Sequence, residues 1–283
     1  MAARLLAGQP IAEQIRAELA RELASFKEKW GITPKIAIVQ VGEDPAATAY
    51  VKRIGKAFAS AEMLSDLHQL PTDISEADFK ATIARLNEDR LVHGVIVQMP
   101  LPPHLDQDMV TSILSPLKDV DGIHPYNAGM LALGRPTFVP ATPYGGLEIL
   151  KRSGIELKGK EAVVVGRSNI VGKPMFSLLL QEHATVTVCH SRTKNLAEVA
   201  KRADILVAAI GKAKMITADF VKPGAVVVDF GINVVDGKVV GDVDFEAVKE
   251  VASAITPVPG GTGPTTNAVL LRNTLEAAKR QVG

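Results

Sequence analysis

The chain has 283 residues, with 32 Lys+Arg against 31 Asp+Glu, a formal net charge of +1, 4% aromatics and a single cysteine, Cys189. A balanced charge without a basic block argues against nucleic acid as a partner, and one cysteine can build neither an internal disulfide nor a Cys-based zinc site. The longest apolar runs, such as AVVVG and AVVVDFGI, are of strand length, so no membrane span is expected. Residues 1–10 carry one arginine and only a short Leu5-Leu6-Ala7 run, too little for a signal peptide. The expectation is a cytoplasmic globular protein of one large or two medium domains.

Ile11, Ile15, Leu19, Leu23 and Phe26 recur at helical spacing and predict a helix to about Lys29. Lys35–Val41 reads as a buried strand, broken by Gly42-Glu43-Asp44-Pro45, with a new helix starting at Pro45. A strand over 65–70, a helix over 75–87 capped by Ser75 and a strand over 94–99 follow. This alternation favours a parallel sheet. Residues 115–143, rich in Pro, Gly and Asp, are expected to be loops between domains. Four β-branched runs at 162–165, 185–189, 205–209 and 225–229, separated by short helices, form the pattern of a doubly wound nucleotide-binding unit. A Gly/Pro loop over 257–264 leads into a terminal helix, 265–282, expected to pack back on the first domain. The fold class is therefore α/β. An N-terminal domain over 1–140, completed by the helix 264–283, accompanies a Rossmann-type domain over 141–263.

Four features carry chemistry. Gly166-Arg167-Ser168-Asn169-Ile170-Val171-Gly172 lies between a predicted strand and helix, where backbone amides and a helix N-terminus can meet a pyrophosphate; the spacing is not G-x-G-x-x-G, and an ordinary βα turn is the competing reading. The next strand ends Cys189-His190-Ser191-Arg192-Thr193, without the acid that holds an unphosphorylated ribose. A hydroxyl and a guanidinium there suit a 2′-phosphate, with Arg167 as a second cation, or else a solvated loop. In Lys118-Asp119-Val120-Asp121-Gly122 the two acids would share a face in extended backbone. They serve as a metal pair, an anchor for a heterocycle, or a turn, and with the six histidines scattered no metal site is expected. Tyr50 lies in a predicted helix opening just after a strand, and Gln98 ends another strand beside a Pro-rich turn; open α/β sheets place ligands at such strand ends, and interface packing is the competing reading.

Together the motifs VGEDPAATAYV (41–51), GVIVQMPLP (94–102), KDVDG (118–122), ATPYG (141–145), VVGRSNIVGKP (164–174), CHSRT (189–193) and ITPVPGGTGPTT (255–266) resemble the bifunctional methylenetetrahydrofolate dehydrogenase/cyclohydrolase (FolD) family over essentially the whole chain. The resemblance implies tetrahydrofolate one-carbon derivatives as substrates, NADP as cofactor, a homodimer, and a place in one-carbon metabolism and purine biosynthesis. It implies that Tyr50 packs on the folate, that Gln98 assists a catalytic lysine and that Asp121 anchors the pterin nitrogens. It places Gly166, Arg167, Ser168 and Gly172 in the cofactor turn, Ser191 and Arg192 at the 2′-phosphate, and Ile232 and Thr266 along the cofactor cleft.

One position departs from that pattern. The family reads Tyr-Val-x-x-Lys, whereas here Tyr50-Val51-Lys52-Arg53 is followed by Ile54. Lys52 and Lys56 each lie about 160° around a helix from Ile54. Hydride transfer mainly needs two aligned rings, whereas cyclohydrolysis needs proton transfer that isoleucine cannot perform. The expectation is an NADP-dependent dehydrogenase with weak or absent cyclohydrolase activity. The alternatives are a fully bifunctional enzyme using Lys56 or a water chain, and a folate- or nucleotide-binding protein without activity.

Overall fold

The computed structural model describes residues 2–282. In chain order the first elements are β1 (Arg4–Leu5), α1 (Gly8–Trp30), β2 (Lys35–Val41), α2 (Pro45–Ser60), β3 (Leu64–Leu70), α3 (Glu76–Glu88) and β4 (Gly94–Val97). Then come α4 (Gln107–Ile113), α5 (Pro125–Ala132), α6 (Ala141–Arg152), β5 (Glu161–Val165), α7 (Gly172–Gln181), β6 (Thr185–Cys189) and α8 (Leu196–Ala200). The chain finishes with β7 (Ile205–Ala208), β8 (Val226–Asp229), β9 (Asn233–Val235), β10 (Lys238–Val240), α9 (Phe245–Val248), β11 (Ala254–Ile255) and α10 (Thr262–Val282).

Two compact units emerge, one of Met1–Gln14 with Thr142–Thr266 and one of Ile15–Ala141 with Asn267–Gly283. The first residues therefore group with the nucleotide-binding unit rather than with residues 15–140. The cause is pairing: Arg4 and Leu5 form a parallel edge on Ala254 and Ile255.

The unit of Ile15–Ala141 carries a three-stranded parallel sheet in the order β3-β2-β4. Its central strand is buried from Ile36 to Val41. Ala37, Val39 and Val41 pack with Phe79, Ile83 and Leu86 of α3, which fits a strand covered on its faces. Helix α2 starts where Asp44 accepts the Ala47 amide at 2.8 Å, with Pro45 in the first turn. Ala47, Val51, Ile54 and Phe58, at spacings of 4, 3 and 4, form its buried stripe.

Residues 115–143 are not all loop. His124 Nδ1 accepts the Tyr126 amide at 3.0 Å and Pro125 opens α5, so that proline starts a helix instead of breaking one. The terminal helix likewise begins at Thr262 with Pro264 inside its first turn.

The nucleotide-binding unit has a six-stranded sheet, β1-β11-β8-β7-β5-β6, parallel throughout. Counted from β5 and leaving aside the edge strand β1, the five strands read from β6 run second, first, third, fourth, fifth, which is a doubly wound order with its reversal between β5 and β7. Ligands of such sheets sit beyond the carboxyl ends of the strands at that reversal. Beside the sheet, β9 and β10 pair antiparallel across Asp236-Gly237. Both turn residues have positive φ, +50° and +73°, the pairing a type I′ turn requires.

Candidate functional site

In the unit of Ile15–Ala141 the segment 118–122 lies alongside β4, bridged through Val95 and Asp119. This approach is possible because residue 94 is glycine; a Cβ there would stand 2.5 Å from Val120 Cγ1. Asn273 donates from Nδ2 to the Val120 and Val139 carbonyls at 2.8 and 3.0 Å, so α10 holds the same segment from another side. The two acids of the segment have separate tasks. Asp119, fully buried, accepts the Ile123 and His124 amides at 3.2 and 2.8 Å and the Asn127 side chain at 2.8 Å. Its charge is spent on shaping the turn.

Asp121 accepts no hydrogen bond from the chain among the described residues. Burial, reinforced by the Asp119 charge, pushes its carboxyl up to about 7. Tyr50 lies close enough to feel Asp121: burial first, then that neighbouring carboxylate, raises its phenol above the ordinary range, while Arg53 opposes the shift. The Arg53 guanidinium stands over the Tyr50 ring, 5.7 Å from its centre. Gln98 follows β4 and is 5% exposed; its amide N–H donates to the Val39 carbonyl at 2.8 Å. Its side-chain Nε2 is buried and has no partner. An unused donor in a dry position is costly unless something else accepts from it.

Ile54 shares α2 with Tyr50 and is 0% exposed, whereas Lys52 and Lys56 are exposed. Tyr50 and Asp121 are thus brought together. Position 54 lies in the helix's packed stripe, and no lysine of α2 shares it.

In the nucleotide-binding unit Gly166 follows β5 with φ +136°, and a Cβ would stand 2.0 Å from the Ala209 carbonyl oxygen. Ala209 follows β7, so this close approach sits at the reversal point of the sheet. Ser168 Oγ accepts the Val171 and Gly172 amides at 3.1 and 3.3 Å, which shapes the entry into α7. Arg167 and Ser168 are exposed. On the neighbouring strand end, Thr193 Oγ1 accepts the His190 amide at 2.9 Å and His190 Nδ1 accepts the Arg192 amide at 3.1 Å. This compact turn presents exposed Ser191 and Arg192 beside the Gly166 turn, because the Gly166 amide donates to the Cys189 carbonyl at 2.9 Å. Neither guanidinium has a partner among the described residues, so both are available to an anion.

Ile232 is 69% exposed after β8. Thr266 is buried in α10, and its hydroxyl donates to the Thr262 carbonyl at 3.0 Å. Residues that sequence reasoning passed over are Gly94 and Asn273, which set the position of Val120, and the buried Asp229 and Asp242. Only long-range contacts reveal them.

Two family models cover the chain. The tetrahydrofolate dehydrogenase/cyclohydrolase catalytic domain matches residues 6–121, and the NAD(P)-binding domain of the same description matches residues 140–282. A protein of Roseiflexus castenholzii called bifunctional protein FolD is 54% identical over 99% of this chain and 98% of its own length. The crystal structure of the bifunctional enzyme FolD, methylenetetrahydrofolate dehydrogenase/cyclohydrolase, from Campylobacter jejuni matches with a TM-score of 0.95 at 44% identity over 99% of each chain. A Trypanosoma brucei methylenetetrahydrofolate dehydrogenase-cyclohydrolase, complexed with NADP and an inhibitor, matches with a TM-score of 0.94 at 36% identity over 100% of this chain and 99% of that one.

Proposed function

The chain belongs to the tetrahydrofolate dehydrogenase/cyclohydrolase family, and from that premise we propose that it oxidises 5,10-methylenetetrahydrofolate to the methenyl form with NADP while hydrolysing that product weakly or not at all. The observation that carries the second half is Ile54, which is 0% exposed within the packed stripe of α2. Lys56 is exposed and two residues away in sequence, about 160° around the helix, so it does not substitute for a base at position 54.

We assign folate binding to the unit of Ile15–Ala141 with Asn267–Gly283, and cofactor binding to Thr142–Thr266. The dinucleotide fits the second on structural grounds: the cradle at Gly166 leaves no room for a Cβ, and Arg167 and Arg192 stand unpaired beside it. Ser191, Arg192 and Arg167 would hold the 2′-phosphate, and no acid ends β6 to select an unphosphorylated ribose. Gly166, Ser168 and Gly172 would line the phosphates, with Ile232 and Thr266 along the remainder. When bound, the nicotinamide supplies the hydride acceptor. The chain's own contribution is orientation: Asp121 offers an otherwise unengaged carboxyl to the pterin nitrogens, Gln98 an unused N–H, and Tyr50 a ring face.

A homodimer and a place in one-carbon metabolism and purine biosynthesis follow from the family. The β9–β10 hairpin supports self-association, since Val234 and Val239 are 71% and 43% exposed; size-exclusion chromatography with light scattering at a dimer mass is the expected result. A cytoplasmic location rests on the same resemblance and agrees with a lone, buried, unpaired Cys189.

The deciding experiment pairs two assays on the purified protein. Absorbance at 340 nm should rise with methylenetetrahydrofolate and NADP and much less with NAD, while the methenyl compound accumulates. Production of 10-formyltetrahydrofolate at a rate comparable to hydride transfer would overturn the cyclohydrolase half. No absorbance change with either cofactor would instead favour a binding protein without activity.

A further inference from the structure

The carboxyl edge of the nucleotide-binding sheet is held by an acid with no counter-cation. Asp242 is 0% exposed and makes no ion pair among the described residues. Its Oδ2 accepts the Ile210 and Gly211 amides at 2.6 and 2.9 Å, and its Oδ1 accepts the Lys212 amide and the Asn233 side-chain Nδ2 at 2.9 Å each. A second buried acid, Asp229 at the end of β8, accepts the Asp242 amide at 3.0 Å and so fixes its backbone. Four donors converging on one carboxylate satisfy a buried charge without a cation. They also mean that the carboxylate, rather than a strand ladder, dictates the course of two loops.

These loops are not remote from the cofactor turn. Residues 209–212 follow β7, and the Ala209 carbonyl is the atom against which Gly166 closes. Asn233 adjoins exposed Ile232 after β8. A single side chain therefore connects the wall behind the phosphate turn to the loop that carries Ile232.

We propose that Asp242 is a positioning residue for the dinucleotide, its carboxylate fixing the loops after β7 and β8 in the shape that receives the cofactor. This rests on the cofactor reading given above, and the test separates the two. NADP affinity is measured by titration calorimetry on the wild type and on Asp242→Asn, together with KM for both substrates, kcat and far-UV circular dichroism. If wild-type protein does not bind NADP, the cofactor reading fails irrespective of Asp242. If it binds, Asp242→Asn should weaken NADP by roughly tenfold to a hundredfold, because its amide group turns N–H against N–H donors. With saturating NADP, kcat should stay within about threefold, and KM for the folate should not move. A purely structural role would lower stability and disturb both substrates alike. A folded variant with unchanged NADP affinity, or with equal losses for both ligands, overturns the proposal. Should Asp242→Asn not fold, Asn233→Ala removes one donor only. A rise of about threefold or more in the NADP dissociation constant supports the proposal, and an unchanged constant with intact circular dichroism overturns it.

Discussion

Replacing Ile54 with lysine tests whether one side chain withholds the hydrolytic step. The site is 0% exposed, between Val51 and Phe58 on the stripe that α2 buries. Losing the isoleucine forfeits about 1.5–3 kcal/mol of burial, most of which the lysine methylenes recover. The ammonium is the larger cost. Holding a buried lysine neutral at pH 7, some three units below its usual range, costs about 4 kcal/mol at about 1.36 kcal/mol per unit. The Asp121 carboxylate, already coupled to Tyr50 one turn away, offsets part of this by favouring the charged form.

The sign follows from linkage. A lysine whose folded pKa lies below its unfolded one leaves the folded state with fewer protons. The penalty is therefore greatest at and below the folded pKa and fades as pH rises towards about 10. Ile54→Lys should unfold about 10 °C below the wild type at pH 7 and recover about half of that loss by pH 9. Its rate of 10-formyltetrahydrofolate formation should rise by about 10²–10⁴-fold, the range a positioned acid–base group supplies. Ile54→Met, costing under about 1.5 kcal/mol, is the packing control and should gain nothing. A folded Ile54→Lys that keeps the hydride step and gains no hydrolysis would refute the assignment of the deficit to this position.

Three further outcomes follow from the same geometry. Asp121→Asn should be more stable than the wild type at pH 8 by about 2–4 kcal/mol, because a carboxyl pushed up to about 7 is ionised there against burial and Asp119. That gain should vanish as pH falls below about 4, when both states are neutral, and KM for the folate should rise by about tenfold; calorimetric Tm against pH checks the first and steady-state kinetics the second. If Arg192 holds the 2′-phosphate as proposed, Arg192→Ala should raise KM for NADP by about tenfold or more and leave KM for NAD nearly unchanged, since only NADP would lose a charge-assisted partner. Gly94→Ala places a methyl 2.5 Å from Val120 Cγ1 and should cost about 1–3 kcal/mol in denaturant unfolding, with a raised folate KM as the 118–122 segment shifts.

Much of the architecture is legible because parallel strands buried on both faces are written as continuous apolar runs, as in Lys35–Val41 and Val226–Asp229. Short edges escape that reading. Arg4–Leu5 is only two residues long, and its partner Ala254–Ile255 lies some 250 positions away. The Asp236-Gly237 hairpin carried a usable turn signal, whereas Pro125 and Pro264 suggested loops although each lies in the first turn of a helix.

The candidate site shows a sharper boundary. Asp119-Val120-Asp121 and Asp242-Val243-Asp244 share one pattern, and in extended backbone each would put both acids on one face. In each case the first aspartate is buried and bound by amides, from 123–124 or from 210–212, and the second is left partly exposed. Gly122, at φ +64°, ends the first run in a turn, and Asp244 sits at the start of α9. Which acid is spent on the fold and which remains for chemistry depends on the amides of loops elsewhere in the chain or just beyond the motif. A carboxylate surrounded by four donors has no capacity left for a ligand. Asp121 accepts none among the described residues, so its carboxyl keeps that capacity, because Asp119 has already satisfied the turn beside it.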